Sequence, residues 1–263
     1  MNPIVLMTDF GTKDGNVGVM KGVISGIFPE AKIIDLSHGI TPQSVLEASL
    51  ILTRTYRYFP GGTVFVIVVD PGVGTKRRPL AGRIGDYYFV LPDNGILSPL
   101  LAEAEENNSP VQLIHLDKPE FWLENISYVF HGRDIFAPVG AHLASGIKLS
   151  DLGTPIQDPV RMETPAPVSV ENGLLAQVIH IDNFGNISTN VTRPYLQGHN
   201  RLELTLQDQR IKGLYRTFGE LSAGNLMALL GSTDYLIISE VNGNAAQRIG
   251  AAVGDPVEIT YLD

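Results

Sequence analysis

The chain has 263 residues, 44% of them hydrophobic, and sets 19 basic side chains against 28 acidic ones for a net charge of −9. That length is comfortable for two domains, each with its own core. The acidic balance, without a basic run anywhere, excludes the phosphate-neutralising contacts that a nucleic-acid partner needs.

Cysteine is absent, so disulfides, thiolate metal sites and cysteine nucleophiles are removed together. The N-terminal stretch from Met1 to Met7 lacks a basic n-region and a long apolar segment, so no signal peptide is expected. No later segment reaches the roughly 18 uninterrupted apolar residues of a membrane span. A cytoplasmic protein with no membrane partner is the expectation.

In chain order, short β-rich apolar runs alternate with helical patterns: Ile4–Met7, Val17–Phe28, Lys32–Leu36, Val45–Tyr58 and Thr63–Val69. The series continues through a strand at Tyr87–Leu91, a helix near Leu97–Glu105 and a strand at Val111–Leu116. A further strand is expected at Ile126–Phe130, then a helix from about Arg133 to Ser145, with Pro138 in its first turn. This alternation predicts an α/β N-terminal domain with a mostly parallel sheet, over residues 1–153.

From 154 to 167 the chain is punctuated by prolines at 155, 159, 165 and 167 and can hold neither a helix nor a central strand, so a linker is expected there. Residues 168–263 then offer strands at Leu174–Ile181, Arg201–Thr205, Gln209–Leu214, Leu226–Leu230, Tyr235–Ser239 and Val257–Tyr261. Short strands separated by turn residues predict a small all-β, barrel-like C-terminal domain.

Ligands of open α/β sheets sit beyond the carboxyl ends of the strands. The loops to search are therefore Thr8-Asp9-Phe10-Gly11, Asp70-Pro71-Gly72-Val73-Gly74-Thr75, Pro92-Asp93-Asn94-Gly95 and His131-Gly132-Arg133-Asp134. Asp9 suits a bidentate acceptor for two vicinal ribose hydroxyls, and equally a helix N-cap. The run from Asp70 to Arg78 fails the phosphate-loop spacing, and no helical pattern follows Thr75. What remains there is an Asp and an Arg seven residues apart across a glycine-rich bend, which either brings Asp70 and Arg77 together or forms a plain solvated turn.

His131, at the start of a helix, faces a dipole that disfavours imidazolium and keeps a neutral ring as a proton acceptor. The other histidines, His38, His115, His142, His180 and His199, lack metal-ligand spacing, so no metal is expected. In the second half, Asp182-Asn183-Phe184-Gly185-Asn186 offers an aromatic face beside an amide, or an ordinary turn. Ser232 and the Asn242–Ala245 segment are similarly ambiguous.

Together these motifs resemble the S-adenosylmethionine hydroxide adenosyltransferases, relatives of the enzymes that make 5′-halo-adenosines. The resemblance spans the chain through Thr8–Gly11, Asp70–Thr75 with Arg77, Pro92–Gly95, Phe130–Asp134, Asp182–Asn186 and Leu230–Ser232. It implies hydrolysis of S-adenosylmethionine to adenosine and methionine, without a cofactor, by a homotrimer whose ligands lie between subunits. It further implies that Asp9 takes the ribose hydroxyls, and that Asp70, Arg77 and His131 hold the attacking water. Phe184, Asn186, Phe218, Ser232 and Ala245 are implied to face adenine or the methionine end. Between Asp70 and His131, His131 is favoured as the base.

Alternatives are a 5′-halo-adenosine synthase, a non-catalytic adenosine or S-adenosylmethionine sensor, and a metal-dependent hydrolase. A carboxylate at position 70 suits water and repels a desolvated halide.

Overall fold

Continuous apolar runs at strand positions signal strands covered on both faces, and this is how the first half of the chain is built. The computed structural model describes residues 2–199 and 201–263; Met1, in the N-terminal stretch considered above, and Asn200 lie outside them. Two compact units divide the chain, Met1–Thr164 and Pro165–Asp263.

In the first unit, β1 (Ile4–Thr8), α1 (Asn16–Ile27), β2 (Ile33–Ser37), α2 (Val45–Thr55) and β3 (Val64–Val68) are followed by β4 (Pro79–Ile84) and β5 (Tyr87–Pro92). Then come α3 (Ser98–Glu106), β6 (Val111–Leu116), a π-turn at Gly132–Phe136, α4 (Ala137–Ala144) and β7 (Gly153–Ile156). The sheet order is β2-β1-β3-β5-β4-β6-β7. Its pairings run β1, β2, β3, β5 and β6 in one direction and β4 and β7 in the other, so the sheet is mostly parallel.

Alternation in the buried central strands splits the core in two. Ile4, Leu6, Val64, Val66 and Val68 face Met20 and Ile24 of α1 and Val139 of α4. Val5, Met7, Phe65, Ile67 and Val69 face Ala48 and Leu52 of α2 and Leu100, Leu101 and Ala104 of α3. Burying a side chain of this size contributes about 1.5–3 kcal/mol, so both layers clamp the central strands.

The β1–α1–β2 connection moves outward from β1, whereas the next one, through α2, returns across it to β3. The ends of β1 and β3 therefore flank a topological switch point, where open α/β sheets bind ligands. Thr8 pairs with Val68 there, so Asp9 and the Val69-Asp70 step leave the sheet side by side.

Three local expectations change. The hairpin strand β4 is an addition, and Ile126–Phe130 is not a strand but a bent segment held by side-chain bonds. Ser127 and Phe130 are pinned by the Asp134 carboxylate and the Ser127 hydroxyl. Within 154–167, Thr154-Pro155-Ile156 lies in β7 at the sheet edge, where a proline without an N–H is tolerated. The stretch after it is tied down by Asp158 on Arg78, the Val160 N–H on Asp93 and the Met162 N–H on Ser98.

The second unit is a 9-stranded sheet. Its strands are β8 (Val168–Val170), β9 (Gly173–Ile181), β10 (Ile187–Thr192), β11 (Leu202–Leu206), β12 (Gln209–Lys212), β13 (Leu214–Tyr215), β14 (Leu226–Leu230), β15 (Tyr235–Glu240) and β16 (Pro256–Tyr261), with α5 (Ala245–Ile249) before the last. The order is β12-β11-β16-β9-β10-β15-β14-β13, with β8 on β9, and β12 comes back against β14, so the sheet curls toward a barrel. Leu174, Val178, Leu204, Leu236, Ile238 and Val257 fill its interior.

Candidate active site

A cleft of about 250 Å³ opens at the switch point, lined by Asp9, Phe10, Pro42, Gln43, Val68, Asp70, Val73, Val129, Phe130, His131 and Gly132. Whole-ligand clefts usually span roughly 300–1,000 Å³, so this one suits a ribose-sized part of a ligand. Asp9 and Asp70 stand on the two walls that β1 and β3 supply.

The loop after Asp70 folds back on itself. Val73 and Thr75 close consecutive turns onto Asp70 and Gly72, and the Thr75 hydroxyl accepts the Arg77 N–H at 3.2 Å. Gly74 lies at φ 74, and a Cβ there would meet the Tyr128 carbonyl oxygen at 2.3 Å. Only glycine permits that approach. The result aims Arg77 at Asp70, with Nε donating to Oδ1 at 3.0 Å and Nη2 donating to Oδ2. Their side chains are only 7% and 5% exposed, which makes this a buried, forked pair.

The π-turn delivers the third member. Its 5-residue ring is closed by the Ala137 N–H on the Gly132 carbonyl, and His131 stands at its head. Nδ1 of His131 lies 3.0 Å from Arg77 Nη2. Phe136, from the same turn, places its ring 5.3 Å from the guanidinium carbon. Nη1 of Arg77 is buried with no hydrogen-bond partner among the described residues. The family resemblance implies Asp70, Arg77 and His131 as one group, and the fold brings all three together.

Burial pushes the Asp70 carboxyl above its ordinary value, against the pull of Arg77 and His131. Burial, aided by the Arg77 charge, pushes His131 below 6.5, against the pull of Asp70 and Asp134. The two shifts run in opposite directions, Asp70 upward and His131 downward, and such perturbed groups cluster at functional sites.

Asp9 accepts the Gln43 N–H on Oδ2 at 2.8 Å. Gln43 adopts φ 66 to make that bond, a left-handed conformation uncommon for such a residue. Gln43 and Val129 line the cleft and were not singled out from the sequence, whereas Phe10 and Phe130 belong to motifs that were. The exit of β2, which lies beside that of β1, carries the signal that would have found the Gln43 segment.

The Pro92–Gly95 loop does not line this cleft. Asp93 holds Arg78 at 2.8 Å and the Val160 N–H, while Asn94 donates its amide to the Val69 carbonyl at 2.9 Å. Both roles are structural, and the second braces the residue before Asp70.

In the second unit, Asp182 accepts the N–H groups of Phe184 and Asn186, each at 2.9 Å, and the Asn186 amide at 2.8 Å. This Asx-type turn leaves the Phe184 ring 74% exposed. Phe218 sits in a single helical turn, 45% exposed, and Ser232 is exposed on the β14–β15 turn. Ala245, unlike the other residues of this group, is buried. It is 1% exposed inside the barrel core, because α5 packs there, and its side chain is not offered to a ligand. The N–H of its neighbour Ala246 instead braces the Phe184 turn through the Gly185 carbonyl.

The SAM hydroxide adenosyltransferase N-terminal domain profile matches residues 4–153, and the C-terminal domain profile matches 176–258. An (R)-S-adenosyl-L-methionine hydrolase of Salinispora tropica is 34% identical, covering 98% of this chain and 97% of the relative. One from Thermus thermophilus is also 34% identical, over 98% of this chain and all of its own length. A fluorinase from an Actinoplanes species is 31% identical over 74% of each chain. The crystal structure of an uncharacterized conserved protein from Thermotoga maritima superposes with a TM-score of 0.90 at 35% identity, covering 98% of this chain and 99% of that one. With both domain profiles matched in order and relatives above 30% identity along its length, the chain belongs to the SAM hydroxide adenosyltransferase family.

Proposed function

We propose that this protein hydrolyses S-adenosylmethionine at the ribose C5′ carbon, releasing adenosine and methionine. The observation that carries the reading is the buried Asp70–Arg77 pair with His131 on the same guanidinium, across a cleft from Asp9. Asp9 has Oδ2 on Gln43, which leaves Oδ1 for the ribose diol. In this reading Phe184, Asn186, Phe218 and Ser232 contact the adenine or methionine end.

The sulfonium leaves as a neutral thioether, so no acid is needed on sulfur. Water oxygen attacks C5′, the C5′–S electron pair departs with methionine, and one proton must go to the protein. Alignment opposite the breaking bond contributes up to roughly 7–11 kcal/mol in the best cases.

Arginine has no acceptor, so its Nη2 donates to His131 Nδ1. A neutral His131 then carries its proton on Nε2 and orients water by donating. That contact turns the proton-acceptor role from His131 to Asp70, whose oxygens each keep a lone pair beyond the one Arg77 uses. Arg77 steadies hydroxide character as it develops.

The reaction is proposed to need no metal. The thioether leaves neutral and Arg77 already sets a positive charge beside Asp70, so no step calls for a cation. Full activity in excess chelator supports this.

The names of the relatives lead to a preference for the (R) sulfonium epimer, tested by rates on the separated epimers. A homotrimer and a cytoplasmic location complete the proposal; light scattering tests the first and cell fractionation the second. No helix among the described residues is long and apolar enough to cross a membrane.

The decisive experiment is turnover in ¹⁸O-water with mass spectrometry of both products. Label in the adenosine 5′-hydroxyl, with none in methionine, is expected. Absence of adenosine overturns the proposal.

A further inference from the structure

Behind Asp9 lies a second chain of polar groups that the proposed reaction does not use. Thr8 is fully buried at the end of β1, yet its hydroxyl accepts the Phe10 N–H at 3.3 Å, closing a small turn around Asp9. The same hydroxyl lies 2.9 Å from Nδ1 of His38, which is 8% exposed at the exit of β2. Nε2 of His38 sits 3.1 Å from Asp35 Oδ1, an ion-pair contact without hydrogen-bond geometry, and Asp35 Oδ2 takes the Lys21 ammonium at 2.6 Å.

The direction of this chain follows from its end. Asp35 faces Lys21 as an acceptor, so in a neutral ring the His38 proton belongs on Nε2 and Nδ1 accepts from the Thr8 hydroxyl. His38 also grips the loop by its backbone, because its carbonyl accepts the Gly11 N–H at 2.8 Å. The turn that presents Asp9 is therefore held on both sides by one residue, at Thr8 through the imidazole and at Gly11 through the carbonyl. Gln43, five residues beyond His38, supplies the strained N–H on Asp9 itself.

We infer that His38 is a positioning residue for the Asp9 carboxylate, and that the Lys21–Asp35–His38–Thr8 chain sets how strongly the protein discriminates a ribose diol from a sugar lacking it. This rests on the reading of Asp9 as the ribose ligand. A bare buried polar network would need only to be satisfied. This one converges on the two residues that flank Asp9, and its last link closes the turn around it.

The test is calorimetric binding of adenosine and 2′,3′-dideoxyadenosine to the full chain and to Thr8→Val, His38→Leu and His38→Asn. The unaltered protein is expected to prefer adenosine by at least about tenfold, the scale of a charge-assisted hydrogen bond. In Thr8→Val and His38→Leu that preference should fall about five- to tenfold while dideoxyadenosine affinity stays within about twofold. His38→Asn, whose side-chain oxygen replaces the Nδ1 acceptor, should recover most of it.

If His38→Leu lacks a cooperative thermal transition, Thr8→Val carries the test alone, since it exchanges one hydroxyl for a methyl. An undiminished preference in Thr8→Val, or an equal loss for both nucleosides, overturns the role of His38. No preference in the unaltered protein overturns the underlying assignment of Asp9 instead.

Discussion

Arg77 holds Nη2 3.0 Å from Nδ1 of His131 while the same nitrogen donates to Asp70. The proton inventory of the site follows from that one atom, because it fixes which imidazole nitrogen accepts. Asp70→Asn, which keeps the shape and removes the acceptor, should lower kcat about 10²–10⁴-fold. His131→Gln should cost less. Steady-state rates on both variants decide it, and the reverse ranking would return the proton to His131.

Arg77→Lys replaces a fork by a point charge. It should lower kcat by about 10²–10³-fold and leave the dissociation constant for adenosine within a few fold, since Asp9 is untouched. A parallel loss of adenosine binding would show that Arg77 holds the cleft together rather than the water.

The His131 shift also sets a pH dependence of stability. Its folded value lies below the 6.5 of the unfolded chain because of burial and the Arg77 charge. Between those two values the unfolded chain binds more protons, so stability falls as pH drops from 6.5 through the folded value. Asp70 has the opposite sign: its folded value is raised above 3.8, and stability falls as pH climbs through that window. Thermal midpoints against pH should show a shallower slope below 6.5 for His131→Gln than for the unaltered protein.

Gly74→Ala should destabilise by about 1–3 kcal/mol, the usual cost of a forced left-handed residue, with the added clash at the Tyr128 carbonyl oxygen. Urea denaturation measures the first effect. A drop in kcat larger than the drop in stability explains would register the displacement of Arg77.

High chloride should yield no 5′-chloro-adenosine by chromatography. In the proposed arrangement an ionised Asp70 stands beside C5′ and repels a halide that has lost its water. Detectable product would overturn the preference for water.

The parallel strands were legible because Ile4–Met7 and Thr63–Val69 are unbroken apolar runs, which burial on both faces demands. Strand β4 was not, since Pro79-Leu80-Ala81-Gly82-Arg83-Ile84 has neither a run nor a clean alternation and is recruited by its neighbours β5 and β6. Strand β10 hid for a similar reason: its Ser188, Thr189 and Asn190 are polar yet buried.

At the site, Asp9, Asp70 and His131 could be found because each follows a strand or opens a helix. Gln43 acts through its backbone and carries no side-chain signature. His38 was considered only for metal spacing, although its position at the β2 exit, next to β1, already set it beside Asp9.

The π-turn at Gly132–Phe136 has an evolutionary corollary. Such a turn holds one residue more than an α-helical turn, so removing a single residue would let α4 continue backward as ordinary helix. The residue at its head would then swing about 100° around the axis, taking the imidazole off Arg77 while the core against α4 stays filled. On the proposed roles, a lineage could thus lose water activation and keep the cleft that Asp9 lines through one codon deletion, becoming a receptor without any change to its architecture.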